Sequence, residues 1–206
     1  MTTRGNTLNA FCEYTVKFCG RISLAVLIAS STMIASEASA RDAAFIQSVV
    51  ASPPPTGARQ LCRQYTWACA QKGVASLSSA QELKLVKQIN RRVNASTREV
   101  TDQRQYKTRE MWALPTSLGG DCEDFALLKK RDLINAGIDP RKLLIATVLD
   151  TRRNSHAVLV YRSSQGDLVL DNLTNRIKPW SETRYLFLRM QDPKQPRKWV
   201  GVYGRS

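Results

Sequence analysis

The sequence predicts an α+β fold, with helices in the first two thirds and an antiparallel sheet in the last third. Three observations predict it. Apolar residues recur at helical spacing up to Ala136 and Gly137. After Pro140 they fall instead into short runs rich in Val, Ile and Leu, bounded by turn residues. Between these regimes stands Gly119-Gly120-Asp121-Cys122-Glu123-Asp124-Phe125-Ala126-Leu127-Leu128, a glycine turn that runs through three acids and a cysteine into an apolar helix. Helices followed by strands, with no alternation between them, give α+β packing.

In chain order, residues 1–40 read as an export signal. A mildly basic start (Arg4, Lys17, Arg21) precedes the apolar run Ile22 to Ile34, and Ala38-Ser39-Ala40 matches an A-x-A cleavage site. The run is about 13 residues, short for a bilayer span, so a cleaved Sec-type signal is read here, with an uncleaved anchor as the alternative. The prediction is a periplasmic protein that starts at Arg41. Residues 41–60 form a Pro-rich leader, with a short amphipathic opening to Val50 and a polyproline-like spacer at Ser52-Pro53-Pro54-Pro55-Thr56-Gly57. Residues 61–206 form the domain proper, long enough for one core.

Within that domain, Ser78-Ser79-x-x-Glu82 has the pattern of a capping box opening a helix in which Leu83, Val86, Asn90 and Val93 share a face. Residues 94–109 are polar and read as a loop with short helical turns, and Met111-Trp112-Ala113-Leu114-Pro115 is an apolar anchor. Asp121 reads as the N-cap of a helix from about Cys122 to Ala136, which Gly137 ends. Strands are expected at Leu143–Leu149, His156–Tyr161, Leu168–Leu170, Tyr185–Met190 and Trp199–Tyr203, with a hairpin turn at Arg162–Asp167.

Composition narrows the chemistry. His156 is the single histidine, so no multi-histidine zinc site can be built and any reaction needing imidazole must use it. The formal charge is +14, and loss of Arg4, Lys17, Arg21, Glu13 and Glu37 with the signal takes it to +13. In an exported protein whose basic residues are scattered, this argues against nucleic acid as a partner and for a solvated basic surface or an anionic envelope contact. Cys12 and Cys19 lie in the signal, which leaves Cys62, Cys69 and Cys122. An odd number in an oxidising compartment leaves one thiol free if the other two pair. Cys62 and Cys69 stand seven positions apart, roughly 10 Å on a continuous helix and beyond disulfide reach. A bond between them therefore requires residues 63–68 to turn; the alternative is two small buried thiols.

Cys122 at a helix start, His156 at a strand start and Asp171 at the end of the next strand have the order of nucleophile, base and orienter. A thiolate attacks a carbonyl, the imidazole carries the proton, and the carboxylate fixes the imidazole tautomer. Helix-start amides lower a thiol's pKa, while Asp121, Glu123 and Asp124 raise it, so a cation must offset them. Hairpin register decides whether His156 and Asp171 meet. A two-residue loop at Ser164-Gln165 sets residue 171 against 158 and leaves His156 as its diagonal same-face neighbour; a three-residue loop turns Asp171 to the other face.

The blocks at 119–126, Ser-His-Ala-Val-Leu-Val at 155–160 and Val-Leu-Asp-Asn-Leu at 169–173 resemble the bacterial transglutaminase-like cysteine proteinases, the family of the LapG-type periplasmic proteases. Ile89-Asn90-x-x-Val93-Asn94 and Met111-Trp112-Ala113-Leu114-Pro115 extend the resemblance over about 80–180. It implies a papain/transglutaminase-like core with Cys122 as nucleophile, His156 as base and Asp171 as orienter. It also implies Ca²⁺ held by Asp121 and Glu123, whose hard oxygens suit that ion. The implied substrate is the membrane-proximal part of a large surface adhesin, cut to release cells from a biofilm. The implied regulator is an inner-membrane receptor controlled by cyclic-di-GMP. Two features depart from the family pattern: Leu114-Pro115-Thr116-Ser117, where a threonine and then an acid near the proline are expected, and the basic Lys129-Lys130-Arg131. A monomeric peptidase is the reading adopted. Its rivals are transglutaminase- or amidase-type acyl transfer on the same three residues, and a non-catalytic basic module that binds the envelope.

Overall fold

Turn chemistry and apolar spacing build two long helices against a sheet in the computed structural model, which describes residues 44–73 and 77–205, the last three as backbone only. The predicted signal at 1–40, with Cys12 and Cys19, lies outside the described residues. The elements in order are β1 (Val50–Ser52), α1 (Leu61–Gln64), α2 (Ser79–Ser96), α3 (Asp102–Gln105), α4 (Cys122–Asn135), β2 (Leu143–Leu149), β3 (Ser155–Arg162), β4 (Asp167–Leu170), β5 (Lys178–Pro179), β6 (Leu186–Gln191) and β7 (Trp199–Arg205). The α+β expectation holds.

Helix α2 opens on a reciprocal capping box, one residue earlier than the sequence suggested. Ser78 Oγ accepts from the Gln81 N–H at 3.4 Å, and Gln81 Oε1 accepts from the Ser78 N–H at 2.8 Å. Glu82 is freed from capping and is buried instead, where Tyr161 Oη (2.6 Å) and Lys142 Nζ (2.7 Å) donate to it. Helix α4 ends in a Schellman turn: Gly137 sits at φ +96°, its N–H donates to Ile134 O, and the Ile138 N–H donates to Leu133 O. Leu133 and Ile138, the apolar pair of that motif, are both in the core.

The seven strands form one sheet in the order β1–β7–β6–β2–β3–β4–β5, with every neighbouring pair antiparallel. Strands β2 and β3 are buried on both faces, so they read as continuous apolar runs. Leu143, Ile145, Leu159 and Tyr161 face the helices and pack with Val86, Ile89, Val93, Phe125, Leu127 and Leu133. Leu144, Ala146, Val148, Val158 and Val160 face the other way, into a second cluster with Ile46, Phe187 and Met190. Each buried Val, Leu, Ile, Phe or Met among them is worth about 1.5–3 kcal/mol over its exposed state.

The stretch read as a leader takes part in the sheet. Residues Val50–Ser52 pair with β7, and Ile46 is fastened by its N–H to Asp167 Oδ2 (2.8 Å) and by its carbonyl to Arg162 (3.2 Å). Cys62 and Cys69 form a disulfide with Cα atoms 5.4 Å apart. The turn this requires comes at Tyr65 (φ −129°, ψ 86°), which breaks α1 from the 3₁₀ turn Thr66–Cys69. Among the described residues Cys122 is the free thiol. Trp112 is core, edge-on to Trp199 at 5.8 Å.

Lys129 and Lys130 are fully buried on α4. Lys130 Nζ donates to Gln191 Oε1 at 2.6 Å, while Lys129 Nζ lies 5.9 Å from the centre of the Phe125 ring. Burial lowers both amines to about 7.

Candidate active site

The start of α4 is fixed by its two glycines. Gly119 sits at φ +126°, and a Cβ there would overlap the Arg98 carbonyl; a Cβ on Gly120 would collide with the Asp124 side chain. Backbone bonds from the Gly120 N–H to Arg98 O (3.1 Å) and from the Val100 N–H to Gly120 O (2.9 Å) tie this turn to the chain after α2.

Asp121 occupies the N-cap position but its side chain does not cap, a correction to the sequence reading. Its Oδ2 instead accepts from the Asp102 N–H at 3.2 Å, and its Oδ1 is buried without a hydrogen-bond partner. Asp102 accepts from the Met111 N–H. Carboxylate oxygens of Asp102, Asp121 and Glu123 lie within 4.8 Å of one another. The sequence pointed to Asp121 and Glu123 and missed Asp102, which lies 19 residues upstream in a polar stretch with no local pattern to single it out.

Crowding like charges out of water raises these acids. Glu123 is pushed up to about 9, by burial first and then by the Asp121 charge. Asp124, buried and accepting from the Ala113 N–H (3.0 Å), is pushed up to about 7, by burial and by the charges of Asp121 and Asp102. Asp102 is raised to about 6, by burial with Asp121 and Glu110 adding to it. Among the described residues none of Asp102, Asp121 and Glu123 has a basic partner in an ion pair. Three convergent hard-oxygen donors and an orphaned buried Asp121 oxygen fit a divalent cation with oxygen preference.

Cys122 opens α4, and its thiol lies 3.1 Å from Glu123 Oε2. Burial pushes the thiol well above the ordinary range; Glu123 and Asp121 add to this, and a hydrogen bond from the Ala157 N–H opposes it. His156 stands at the start of β3 and is 8% exposed. The hairpin takes the two-residue loop: the Ser163 N–H bonds Gly166 O at 3.0 Å and Leu159 pairs with Leu170. Residue 171 therefore follows on the face where His156 is its diagonal neighbour, and His156 Nε2 lies 2.9 Å from Asp171 Oδ1.

The Asp171 carboxylate meets two donors besides His156. The Leu173 N–H reaches Oδ1 at 3.0 Å, and Tyr185 Oη donates to Oδ2 at 2.6 Å. Burial alone would raise the Asp171 carboxyl, but the bonds from His156, Tyr185 and Leu173 outweigh it and hold the group below its ordinary value. Tyr185 also meets the His156 ring edge-on, with centroids 5.8 Å apart and planes at 85°. Strand periodicity assigns Tyr185 no role beyond opening a strand. Its one signal was the alternation with Phe187, which puts both on the second apolar cluster.

Cys122, His156, Asp121 and Glu123 line one cleft of about 590 Å³, with Glu99, Glu110, Asp150, Arg152, Leu173 and Tyr185 among its walls. A second cavity, of about 550 Å³ between the start of α2 and the β3–β4 hairpin, contains none of the four. The arrangement sets a thiol and a carboxylate-bound imidazole on a common open space, as thiol acyl chemistry needs.

The family model of the bacterial transglutaminase-like cysteine proteinases matches residues 48–206. Solved structures of Legionella pneumophila LapG are similar to the chain. The calcium-bound form is 23% identical over 60% of this chain and 71% of its own, with a TM-score of 0.49. The EGTA-treated form is 25% identical over 54% and 63%, with a TM-score of 0.47. No curated protein matches. The family match runs from before β1 to beyond β7, so the whole sheet and the cleft lie inside it, and the chain belongs to the bacterial transglutaminase-like cysteine proteinases, a family of cysteine peptidases.

Proposed function

We propose that the chain is an exported, calcium-dependent endopeptidase of the LapG type that works through Cys122, His156 and Asp171. The observation that carries this reading is the 2.9 Å contact between His156 Nε2 and Asp171 Oδ1 at the wall of the cleft that Cys122 shares. With Nε2 committed to the carboxylate, Nδ1 is the nitrogen left to exchange a proton with the thiol.

Cys122 Sγ passes its proton to His156 Nδ1 and attacks the scissile carbonyl carbon. The Cys122 N–H, a first-turn amide that the α4 helix itself leaves without a partner, donates to the oxygen that becomes negative. Collapse breaks the C–N bond, and His156 returns the proton to the leaving amine. Water, deprotonated by His156, then hydrolyses the thioester and frees the thiol. Asp171 keeps the proton on Nε2 and stabilises the imidazolium throughout. Asp102, Asp121 and Glu123 would hold Ca²⁺, which when bound supplies positive charge beside a thiol otherwise surrounded by acids.

The substrate in this proposal is the membrane-proximal segment of a large surface adhesin in the periplasm, and the regulator is an inner-membrane receptor controlled by cyclic-di-GMP. The test compares new protein N-termini in cell envelopes treated with wild type and with Cys122→Ala, in calcium and in a chelator. The proposal expects wild type with calcium alone to generate N-termini, mapping to one large surface protein. N-termini that are equal in all samples would overturn it. Products joined to an added amine, in place of hydrolysed ones, would assign acyl transfer instead.

A further inference from the structure

Asp171 is held at both ends by residues from other elements. Its carboxylate takes the Tyr185 hydroxyl at 2.6 Å on the oxygen that His156 does not use. Its backbone carbonyl takes Asn94 Nδ2 from α2 at 2.9 Å, and the same amide nitrogen reaches Thr174 O and Asn175 Oδ1. Asn90, one turn earlier on α2, donates to Asn175 O at 3.4 Å. The Asn90 and Asn94 pair of the sequence is thus an anchor for the 171–175 loop. Tyr185 does something the anchor cannot, because it touches both the carboxylate and the imidazole.

We propose that Tyr185 is a positioning residue of the active site: its hydroxyl fixes the Asp171 carboxylate and its ring fixes the plane of His156, so that Nε2 keeps its proton and Nδ1 faces the cleft. The inference rests on the proposed roles of His156 and Asp171. A carboxylate bound through one oxygen can rotate about χ2 and present either oxygen to the imidazole. A donor at 2.6 Å on the second oxygen removes that freedom. The ring contact works on the other partner. An edge-to-face neighbour at 85° resists rotation of the imidazole about its Cβ–Cγ bond, the rotation that would swap the two nitrogens. Tyr185 immediately precedes β6, which pairs with β2, and β2 pairs with β3 carrying His156. The sheet therefore sets the distance between Tyr185 and His156 independently of the Asp171 loop.

His156 is the chain's only histidine, so ¹⁵N-histidine labelling of the full chain, purified without a histidine tag, gives one pair of ring nitrogens. Two-bond ¹H–¹⁵N spectra, at a pH where the ring is neutral, show which nitrogen carries the proton. The wild type is expected to give a single tautomer protonated on Nε2, and Tyr185→Phe a mixture of the two. The rate of Cys122 alkylation by iodoacetamide is expected to fall about 10-fold to 100-fold in Tyr185→Phe, the effect of one charge-assisted hydrogen bond. Asn94 still anchors the loop in this variant, so its melting temperature should stay close to wild type. Tyr185→Phe added to Asp171→Asn should cost nothing beyond Asp171→Asn alone, since the hydroxyl acts through that carboxylate. A wild-type tautomer in Tyr185→Phe, or a loss fully additive with Asp171→Asn, would overturn the proposal. A wild-type Cys122 as unreactive as an ordinary thiol, beside a tautomer change in Tyr185→Phe, would count against the peptidase mechanism and leave the positioning role standing.

Discussion

Cys122 Sγ and Glu123 Oε2 stand 3.1 Å apart, so the thiol is hydrogen-bonded to the residue that follows it in the chain. Glu123 cannot share the region with Asp121 and Asp102 as three bare carboxylates, and the thiol beside them is held in its neutral form. A cation among the acids reverses the sign of the local field. Calcium should therefore speed Cys122 alkylation at fixed pH by about tenfold or more, the equivalent of at least 1.4 kcal/mol in the field at the thiol. Glu123→Gln should be faster than wild type in a chelator and nearly insensitive to added calcium. Mass spectrometry of the Cys122 peptide reads both; equal rates with and without calcium in wild type would contradict the prediction.

Asp102 should matter to calcium as much as the two acids beside the cysteine. At a hundredfold excess over its dissociation constant a ligand stabilises the folded state by about 2.7 kcal/mol, or about 5–10 °C for a domain of this size. Wild type should gain that shift on calcium addition, and Asp102→Asn should lose most of it, as read by differential scanning calorimetry.

The buried lysines make stability depend on pH. Lys130 is lowered from 10.5 to about 7 in the fold, so between these values the unfolded chain binds more protons and stability rises with pH. The penalty is fully present below pH 7 and gone above pH 10.5. Lys130→Met should therefore be more stable than wild type at pH 6, by about 1–4 kcal/mol, with the advantage shrinking towards pH 10. Urea midpoints across this range test the slope, and an advantage that grows with pH would contradict the assignment.

Replacing Cys62 and Cys69 by serine removes a short covalent loop. The expected loss is about 2–3 kcal/mol, seen as a urea midpoint lower by about 1–2 M, with little change in Cys122 alkylation.

How much of this was legible in the sequence follows from where each signal resides. The start of α4 was readable because Gly119, Gly120 and Gly137 are local punctuation. The strands were readable because sheet burial leaves runs of Val, Ile and Leu. The meeting of His156 with Asp171 hangs on one loop length, which the backbone bond between Ser163 and Gly166 and the pairing of Leu159 with Leu170 decide. Asp102 and Tyr185 were not readable as site residues. Each reaches the site through tertiary packing, and nothing in their neighbours distinguishes them from an ordinary loop acid and strand aromatic. The capping box sits one residue earlier than the pattern suggests, because Ser78 and Ser79 both fit it and Glu82 is buried against Tyr161 and Lys142 instead of capping.

The rate of Cys122 alkylation by iodoacetamide in the calcium-loaded protein, compared among wild type, His156→Ala and Asp171→Asn, reads the proposed activation of the thiol directly. The wild-type thiol should react well below the ordinary thiol pKa of about 8.5, and both variants should lose most of that reactivity. Ordinary thiol behaviour in all three would contradict that activation.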